Sequence, residues 1–362
     1  MTGNGDAAIT VIAEAGVNHN GSLDRALEMV DVAAACGADV VKFQTFKAAN
    51  LASSSAPKAS YQKLQTEAGE SQLEMLQRLE LGEAGHRQLI DRCEARGIEF
   101  LSTPFDVSSL DFLAGRLKLK RLKIGSGEIT NFPFLLAAAR TEKPIILSTG
   151  MSTLSEVEDA LGVLAFGLLR RDAPSLKAFA DAFGDPDGRA ELAKRVTLLH
   201  CTTEYPAPDN EVNLRAMDTL SDSFGLAVGL SDHSLGIAIP IAAVGRGAVM
   251  IEKHFTLDRN LEGPDHKASL EPEELQEMVG AIRRVEAALG DGDKCPTPAE
   301  RDNIVIARKS LVAARIIKKG EAFTPENLAI KRPGNGLSPL HYWDLLGQRA
   351  TRNYAVDEVI ER

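Results

Sequence analysis

Cysteine is scarce in this sequence, and its few residues lie far apart. Only four occur in 362 residues, at Cys36, Cys93, Cys201 and Cys295, and no two of them form a CxxC pair. Scattered cysteines of this kind are typical of free thiols rather than of a disulfide framework. We therefore expect the protein to work in a reducing compartment, the cytoplasm.

Basic clusters and long apolar runs are also missing. The formal net charge is −10, and no segment concentrates lysine and arginine into the stripe with which proteins bind nucleic acid phosphates. No apolar run reaches the length that spans a bilayer, and residues 1–8 lack the apolar stretch of a signal peptide. We expect no nucleic acid partner, no membrane partner and no export.

Three common enzyme signatures are absent as well. The sequence has no G-x-S-x-G nucleophile elbow, no phosphate-binding P-loop and no G-x-G-x-x-G dinucleotide fingerprint. Covalent acyl chemistry, nucleotide hydrolysis and hydride transfer to a nicotinamide are therefore not supported.

What the sequence does contain is a repeated pattern of short apolar runs, each followed by a polar loop and a helical periodicity. Eight such runs occur, at 9–13, 40–43, 98–102, 121–124, 145–148, 196–200, 226–229 and 249–252. Strands that alternate with helices form a parallel sheet, and eight of them can close into a barrel. We predict the α/β class and a (β/α)8 TIM barrel.

A smaller domain is predicted to follow the barrel. Residues 290–302 are rich in glycine, aspartate and proline and show no apolar periodicity, which is typical of a linker. Residues 303–362 contain strand-like runs at 310–314 and 328–330. The predicted organisation is a barrel domain at 1–289, the linker, and a second domain too small to bury a large core.

Two insertions interrupt the barrel pattern. Residues 48–80 follow the second strand at its carboxyl end, and we expect them to form a mobile loop over the site. Residues 166–194 precede the sixth strand, at the other end of the barrel, and a catalytic role is not expected for them.

Polar residues follow nearly every predicted strand at its carboxyl end, which is where βα barrels carry their chemistry. Each one alone could equally be a solvated charge at the rim or a hydrogen-bonded core residue. A purely structural barrel, however, gives its loops no reason to converge on one kind of chemistry. We predict an active site at these strand ends, with the following residues among those present: Glu14, Lys42, Gln44, Thr103, Lys123, Ser126, Glu128, Ser148, Thr203, Tyr205, Ser231, His233, Glu252 and His254.

Two pairs of residues suggest what that site binds. His233 and His254 end adjacent predicted strands, so their imidazoles can reach the separation that a divalent cation requires. Such a pair suits Mn²⁺, Mg²⁺, Co²⁺ or Zn²⁺, and the alternative is a pair of structural histidines. Lys42 and Lys123 enter the same mouth beside the Gly-Ser-Gly turn at 125–127, which can hold phosphate or carboxylate. The pattern predicts an anion site beside a metal.

Several segments together resemble those of the sialic acid synthase family. They are IAEAGVNHNG (12–21), VKFQTF (41–46), STPFD (102–106), KIGSGE (123–128), SDH (231–233) and EKHF (252–255). The segment KRPGNG (331–336) resembles the family's C-terminal antifreeze-like (SAF) domain. The resemblance covers nearly the whole chain and implies a TIM barrel followed by a SAF domain.

The resemblance also implies a cofactor, an assembly and a set of site residues. The cofactor is a divalent metal on His233 and His254, most often Mn²⁺, with Mg²⁺ or Co²⁺ as alternatives. The assembly is a homodimer in which each SAF domain caps the partner's barrel. Residues implied to surround phosphoenolpyruvate are Lys42, Thr103, Lys123, Ser126, Thr203, Tyr205 and Ser231, although some family members have asparagine at the position of Thr203. Residues implied to face the sugar or the attacking water are Glu14, Gln44, Glu128, Asp265 and Arg332.

The implied reaction joins phosphoenolpyruvate, an N-acyl hexosamine and water into a nine-carbon sugar acid, with release of phosphate. Glu128 and Glu14 are the expected partners of the cationic centre and the water, and Gln44 orients them. N-acetylmannosamine, giving N-acetylneuraminate, is the acceptor that we expect. Doubly N-acetylated 6-deoxy sugars, giving legionaminic or pseudaminic acid, are the alternative.

Two further hypotheses carry less weight. A barrel that adds phosphoenolpyruvate to an aldose to make a seven- or eight-carbon keto acid would not explain the SAF-like segment. A non-catalytic sugar-binding barrel would be expected to have lost a lysine or a metal histidine, and Lys42, Lys123, His233 and His254 are all present.

Overall fold

Each of the eight apolar runs forms a β-strand in the computed structural model, which describes residues 8–53, 56–58 and 70–361. The strands of this barrel are β1 Thr10–Gly16, β2 Val40–Thr45, β3 Glu99–Pro104, β4 Leu122–Ile124, β5 Ile145–Ser148, β6 Val196–Cys201, β7 Ala227–Asp232 and β8 Met250–His254. Several of them extend beyond the apolar residues into the polar ones, because the backbone ladder continues where the side chains change character.

All the neighbouring pairs of these strands are parallel, in the order β3-β2-β1-β8-β7-β6-β5-β4. The two end strands, β3 and β4, lie side by side, so the sheet is nearly closed on itself. Parallel strands need crossover connections, and helices supply them here. The predicted (β/α)8 barrel is confirmed.

Several of the described helices of the barrel unit begin or end at local sequence signals. Ser22 caps the helix Leu23–Ala35 by accepting a hydrogen bond from the Arg25 amide, and Gly97 ends the helix Glu83–Arg96 in a left-handed conformation with φ of 69°. The helices of this unit are numbered α1 to α12 in chain order. The helices are Leu23–Ala35, Ala48–Leu51, Gln72–Leu79, Glu83–Arg96, Val107–Asp111, Phe132–Arg140, Leu154–Leu168, Leu176–Gly184, Pro186–Arg195, Ala216–Phe224, Ala238–Gly245 and Pro272–Leu289.

The two insertions differ in how much of them can be described. The predicted loop at 48–80 contains α2 and α3, but residues 54–55 and 59–69 lie outside the described residues. The segment 166–194 continues α7 and then forms α8 and α9, and Phe166 packs edge-on against Phe179 at 5.2 Å between ring centroids. It therefore extends the apolar core outside the barrel strands.

The chain divides into two compact units, Met1–Gly290 and Asp291–Arg362. In the second unit α13, Arg301–Ala307, precedes an antiparallel pair formed by β9, Ser310–Ala313, and β10, Leu328–Lys331. A short helix, α14 (Tyr342–Leu345), completes it. Its small core includes Leu311, Ile317, Phe323, Leu345 and Tyr354. Throughout the described ranges, no helix combines the length and the apolar character needed to cross a membrane.

Candidate active site

The barrel interior is layered, and the layering positions the site. Six buried apolar residues, one from each of six strands, form a small cluster inside the barrel: Ile12, Val40, Leu101, Ile146, Leu199 and Met250. Side chains two positions apart on a strand point the same way. The residues two positions further along these strands therefore also face the interior, one layer nearer the carboxyl ends: Glu14, Lys42, Thr103, Ser148, Cys201 and Glu252.

All six residues of this second layer line one cavity of about 200 Å³ at the mouth of the barrel. Eleven residues with a predicted role in the site line the same cavity: Glu14, Lys42, Gln44, Thr103, Lys123, Ser126, Thr203, Tyr205, Ser231, His233 and His254. The cavity contains the two predicted lysines and both predicted metal histidines. The structure thus brings together residues separated by up to 240 positions in the sequence.

Two buried lysines and two buried carboxylates form the charged centre of the cavity. Lys42 Nζ lies 2.7 Å from Glu14 Oε2 and donates to Thr103 Oγ1 at 3.1 Å. Lys123 Nζ donates to Ser148 Oγ at 2.7 Å. Glu252 lies between the lysines, 3.6 Å from Lys42 Nζ and 3.4 Å from Lys123 Nζ, and accepts a hydrogen bond from Ser231 Oγ at 2.7 Å.

This arrangement gives the two carboxylates different proton affinities. Burial raises the pKa of Glu14 to about 7, with Lys42 opposing the rise and Glu252 adding to it. Burial would also raise the pKa of Glu252, but Lys123 and Lys42 outweigh it and hold that pKa at about 2. Glu252 is therefore a permanent negative charge near neutral pH, whereas Glu14 can take up or release a proton there.

The lysines respond to the same neighbours. Burial alone would lower the pKa of Lys42, but Glu14 and Glu252 together raise it above its ordinary value. For Lys123 burial prevails over Glu252, and its pKa is lowered. Two cations in a cavity of this size can hold a compact dianion.

The predicted metal pair lies at the same mouth. The ring centroids of His233 and His254 are 5.6 Å apart, and the Tyr205 ring lies 4.1 Å from His233 and 5.6 Å from His254. His233 Nδ1 is 2.6 Å from the carbonyl oxygen of Thr202. Since a carbonyl can only accept, Nδ1 carries the proton and Nε2 keeps the lone pair that a metal uses.

Both imidazoles are neutral, as metal binding requires. Burial lowers the pKa of His233 to about 4, and it lowers the pKa of His254 well below the ordinary value. His254 Nδ1 is buried without a hydrogen-bond partner among the described residues. A structural histidine looks different: both ring nitrogens of His86 are bonded, to Thr45 Oγ1 at 2.7 Å and to the Gly82 carbonyl at 3.0 Å.

The donor set thus fits a divalent cation held by two neutral imidazoles. Among the residues that the structure describes, no group of three or more histidine, cysteine or carboxylate side chains is arranged around one point as a complete metal site. Further positions would therefore come from substrate oxygens or water.

Glycines leave room for these side chains. A Cβ atom on Gly150 would lie 2.4 Å from Thr203 Oγ1 and 2.7 Å from Cys201 Sγ, so no larger residue fits there. Gly16, at φ of 52°, sits at a β-bulge after Glu14, and a Cβ there would lie 3.3 Å from Glu14 Oε1 and 3.4 Å from His254 Cε1.

Three predicted site residues do not line this cavity. Glu128 is half-buried at the end of a 3₁₀ turn, where it accepts a hydrogen bond from Asn131 Nδ2 at 2.7 Å, and burial raises its pKa. Arg332 belongs to the second unit, where its Nε donates to the Ala307 carbonyl at 3.1 Å. Asp265 precedes the 3₁₀ turn His266–Ala268 and is 7% exposed.

Asp265 yields a prediction about pH and stability. Burial raises its pKa from 3.8 to about 6, although Lys42 favours the charged form. Near pH 8 the Asp265 carboxylate is ionised although it is buried, which lowers the stability of the folded state. Asp265→Asn removes this charge, so we expect the free energy of unfolding at pH 8 to rise by about 3 kcal/mol, at about 1.4 kcal/mol per unit of pKa shift. Chemical denaturation at several pH values measures this.

The sign of the pH dependence is fixed by the raised pKa. The cost of ionising Asp265 builds up as the pH rises from about 4 to about 6 and is complete above that, so the gain from Asp265→Asn should shrink as the pH is lowered. A gain of the same size at pH 8 and at pH 4.5 would instead indicate a change in packing.

The sequence pattern placed Glu252 and Ser148 at strand ends, but neither was given a role in the site, and Cys201 was not selected as a site residue. The signal for Glu252 was its position two residues before His254, which places both side chains on the same face of β8. Ser148 and Cys201 carry the same signal, two positions after the buried Ile146 and Leu199.

Comparison with known proteins identifies the family of the chain. The chain matches the NeuB family over residues 29–294 and the SAF domain over residues 308–361. It is 52% identical to N,N'-diacetyllegionaminic acid synthase of Campylobacter jejuni, covering 97% of this chain and 98% of that protein. It is 46% identical to N,N'-diacetyllegionaminic acid synthase of Legionella pneumophila, covering 95% of this chain and 90% of that protein.

A solved structure supports the same assignment. The crystal structure of N-acetylneuraminic acid synthetase from Leptospira borgpetersenii, in complex with citrate, has a TM-score of 0.65 and 32% identity, covering 84% of this chain and 94% of that one. The family match spans well over half of the sequence and contains most of the cavity residues. The chain therefore belongs to the NeuB family, the sialic acid synthase family that its motifs predicted, and it carries a C-terminal SAF domain.

Proposed function

We propose that this enzyme condenses phosphoenolpyruvate with a doubly N-acetylated 6-deoxy hexose and water to give N,N'-diacetyllegionaminic acid and phosphate. One observation carries the chemistry: two buried lysines and two neutral histidines line a single cavity at the mouth of the barrel. The identity of the acceptor is supported by the 52% and 46% identity to legionaminic acid synthases.

Phosphoenolpyruvate would bind at the lysines. It carries a phosphate and a carboxylate, and Lys42 and Lys123 are the cations of the described cavity lining. Hydroxyl groups of Thr103, Ser126 and Ser231 lie in the same lining and can donate to the remaining oxygens. Thr203 Oγ1 is buried without a hydrogen-bond partner in the described structure, so it too is available to an oxygen of the ligand.

The sugar would react as its open-chain aldehyde next to the histidines. His233 and His254 would hold the divalent cation, for which we propose Mn²⁺, with Mg²⁺ or Co²⁺ as alternatives. When bound, the cation supplies Lewis-acid polarisation of a carbonyl. Gln44 lies close to both Glu14 and His254 around Gly16 and can orient the groups at this point.

The reaction forms the new carbon–carbon bond first and releases phosphate last. Carbon 3 of phosphoenolpyruvate attacks the aldehyde carbon, the aldehyde oxygen takes up a proton, and carbon 2 is left with cationic character. Water then adds to carbon 2, and the carbon–oxygen bond to phosphate breaks. Glu14 is suited to accept a proton from that water, because burial raises its pKa to about 7.

The choice of acceptor departs from the first expectation from sequence, N-acetylmannosamine. Both sugars react through the same aldehyde, so the cavity at the strand ends does not distinguish them. They differ by a second N-acetyl group and a missing hydroxyl, which only a few loop residues need to recognise. The similarity to legionaminic acid synthases therefore supports the alternative better.

Phosphate release with three acceptors tests the proposal. The sugars are N-acetylmannosamine and the two doubly N-acetylated 6-deoxy sugars that lead to legionaminic and pseudaminic acid. We expect the highest kcat/KM with the legionaminic acid precursor and confirmation of the product by mass spectrometry. A higher kcat/KM with N-acetylmannosamine would overturn the acceptor assignment, and no phosphate release with any of the three would overturn the function.

We further propose a homodimer in which Arg332 contacts the sugar in the partner's barrel. Arg332 is an exposed guanidinium in a unit of only 72 residues. Co-expression of Arg332→Ala with His254→Ala chains tests this, since mixed dimers would have one complete site. Roughly a quarter of wild-type activity should return, because about half the dimers are mixed with one working site of two. Activity no higher than that of the parents would contradict the proposal.

We also place the enzyme in the cytoplasm. All four cysteines are free thiols, and Cys295 is exposed. An exposed free thiol is best tolerated where the surroundings are reducing.

A further inference from the structure

Glu252 presents a physical problem in the proposed phosphoenolpyruvate site. The site must attract a ligand with two anionic groups, yet its centre holds a buried carboxylate that is paired with both lysines. Glu252 is 4% exposed and accepts a hydrogen bond from Ser231 Oγ at 2.7 Å. A charge of the same sign as the ligand, this close to the cations that bind it, opposes binding.

The surroundings of Glu252 place it within the reaction space rather than beneath it. Its Oε1 lies 3.4 Å from Lys123 Nζ, and its Oε2 lies 3.6 Å from Lys42 Nζ. Oε2 accepts no hydrogen bond from any described residue, although it is buried. Both lysines already have nearer partners, Ser148 at 2.7 Å and Glu14 at 2.7 Å. Glu252 is therefore not required as their sole anchor.

Such a charge helps only a step in which positive charge develops nearby. During the proposed reaction, carbon 2 of phosphoenolpyruvate passes from neutral to cationic before water adds. A fixed anion between the two lysines disfavours the bound dianionic substrate and favours the cationic centre that forms from it. Interactions that are better in the transition state than in the ground state are those that raise kcat.

We propose that Glu252 is a catalytic counter-charge of this synthase, which weakens phosphoenolpyruvate binding and stabilises the cationic carbon 2 that follows. The inference rests on the proposed function and assigns to Glu252 an electrostatic role that was expected of Glu128 and Glu14 from the reaction implied by the family resemblance. Glu128, half-buried and bonded to Asn131, does not line the cavity, whereas Glu252 does.

Glu252→Gln separates this role from a structural one by the direction of its effects. Glutamine has the same shape and keeps an acceptor for Ser231, but it removes the negative charge. Phosphoenolpyruvate should bind at least tenfold more tightly, and kcat should fall by about 10² to 10³, which is typical for loss of one electrostatic stabiliser. If Glu252 only held the lysines in place, its loss would weaken binding instead.

The measurements use the full-length protein loaded with Mn²⁺. Isothermal titration with phosphoenolpyruvate gives the Kd without the sugar, and phosphate release with the best acceptor gives kcat. Tighter binding with slower turnover supports the proposal; weaker or unchanged binding, or an unchanged kcat, overturns it. Failure of the proposed function is seen separately, as absence of phosphate release by the wild-type enzyme with every acceptor.

Two further variants guard against misleading results. Glu99→Gln is the matched control, because Glu99 pairs with Arg121 by two hydrogen bonds of 2.9 Å at the amino-terminal end of the barrel, and it should leave the Kd unchanged. If the single variant Glu252→Gln does not fold, the double variant Lys123→Met, Glu252→Gln is used instead, because it removes one cation and one anion together. This pair should bind phosphoenolpyruvate more tightly than Lys123→Met alone, and equal or weaker binding overturns the proposal.

Discussion

Removal of divalent metal with EDTA should abolish phosphate release, and Mn²⁺ or Co²⁺ should restore it. The expectation rests on His233 and His254, whose neutral imidazole rings line the cavity with their centroids 5.6 Å apart. His233 Nδ1 donates to the Thr202 carbonyl, which leaves a lone pair on Nε2, and His254 Nδ1 has no hydrogen-bond partner among the described residues. Lewis-acid polarisation is worth several kcal/mol, so the loss should be about 10³-fold or greater. Metal titration should give one Mn²⁺ per chain.

Histidine variants connect this result to the residues. His233→Ala and His254→Ala should each lose both activity and the tight metal-binding event. His86→Asn is a matched control, because both ring nitrogens of His86 are already hydrogen-bonded, and its metal stoichiometry should stay at that of the wild type. Full turnover by metal-free protein, or an unchanged metal titration in the two alanine variants, would refute the assignment.

Lys253→Met should lower the free energy of unfolding by about 3–5 kcal/mol, as expected when one partner of a buried ion pair is removed. Lys253 Nζ lies 2.5 Å from Asp232 Oδ2, and the two side chains are 0% and 1% exposed. The substitution would leave the Asp232 carboxylate charged and buried, with hydrogen bonds to Oδ1 from only the Ser234 amide and hydroxyl. Urea denaturation monitored by circular dichroism measures the change.

An exposed pair supplies the control for this effect. Lys177 and Asp181 are paired at 2.7 Å along one helix, but they are 83% and 56% exposed, so Lys177→Met should cost no more than about 0.5 kcal/mol. The double variant Lys253→Met, Asp232→Asn should recover much of the lost stability, because no unpaired charge remains. Equal losses for the Lys253 and Lys177 variants would show that burial does not govern the pair.

The buried pair also lies next to the proposed metal site. Asp232 and Lys253 are register partners on β7 and β8, and each directly precedes one of the two histidines proposed to bind the metal. Their side chains are on the outer face of the sheet, while His233 and His254 face the cavity. A loss of metal affinity in Lys253→Met is therefore expected to accompany the loss of stability.

The strands and their order were predictable because they depend on local properties. Apolar runs with turn and helix signals between them identify all eight strands, and covalent connectivity fixes their parallel arrangement. The predicted ends were less accurate on the carboxyl side. The apolar run at 226–229 stops at Gly229, whereas β7 continues to Asp232, because ladder hydrogen bonds do not require apolar side chains.

The composition of the cavity was predictable for the same reason. Side chains alternate along a strand, so Lys42 and Gln44 must share a face, as must Glu252 and His254. The family motifs then selected residues such as Tyr205 and Ser231, which sit in this cavity. Glu128 shows the limit of that reasoning, since a position close in sequence to Ser126 turned away from the lining to bond with Asn131.

The sequence by itself determined the barrel, the family and most of the residues that meet at its mouth, because periodicity, chain order and motifs carry that information. Only the tertiary structure decided which of these residues touch. Glu252 lies between Lys42 and Lys123, which hold its pKa at about 2 against the effect of burial, whereas burial prevails at Glu14 and raises that pKa to about 7. Charge interactions and desolvation depend on distances through space between residues that are far apart along the chain, and no pattern of neighbouring residues records those distances.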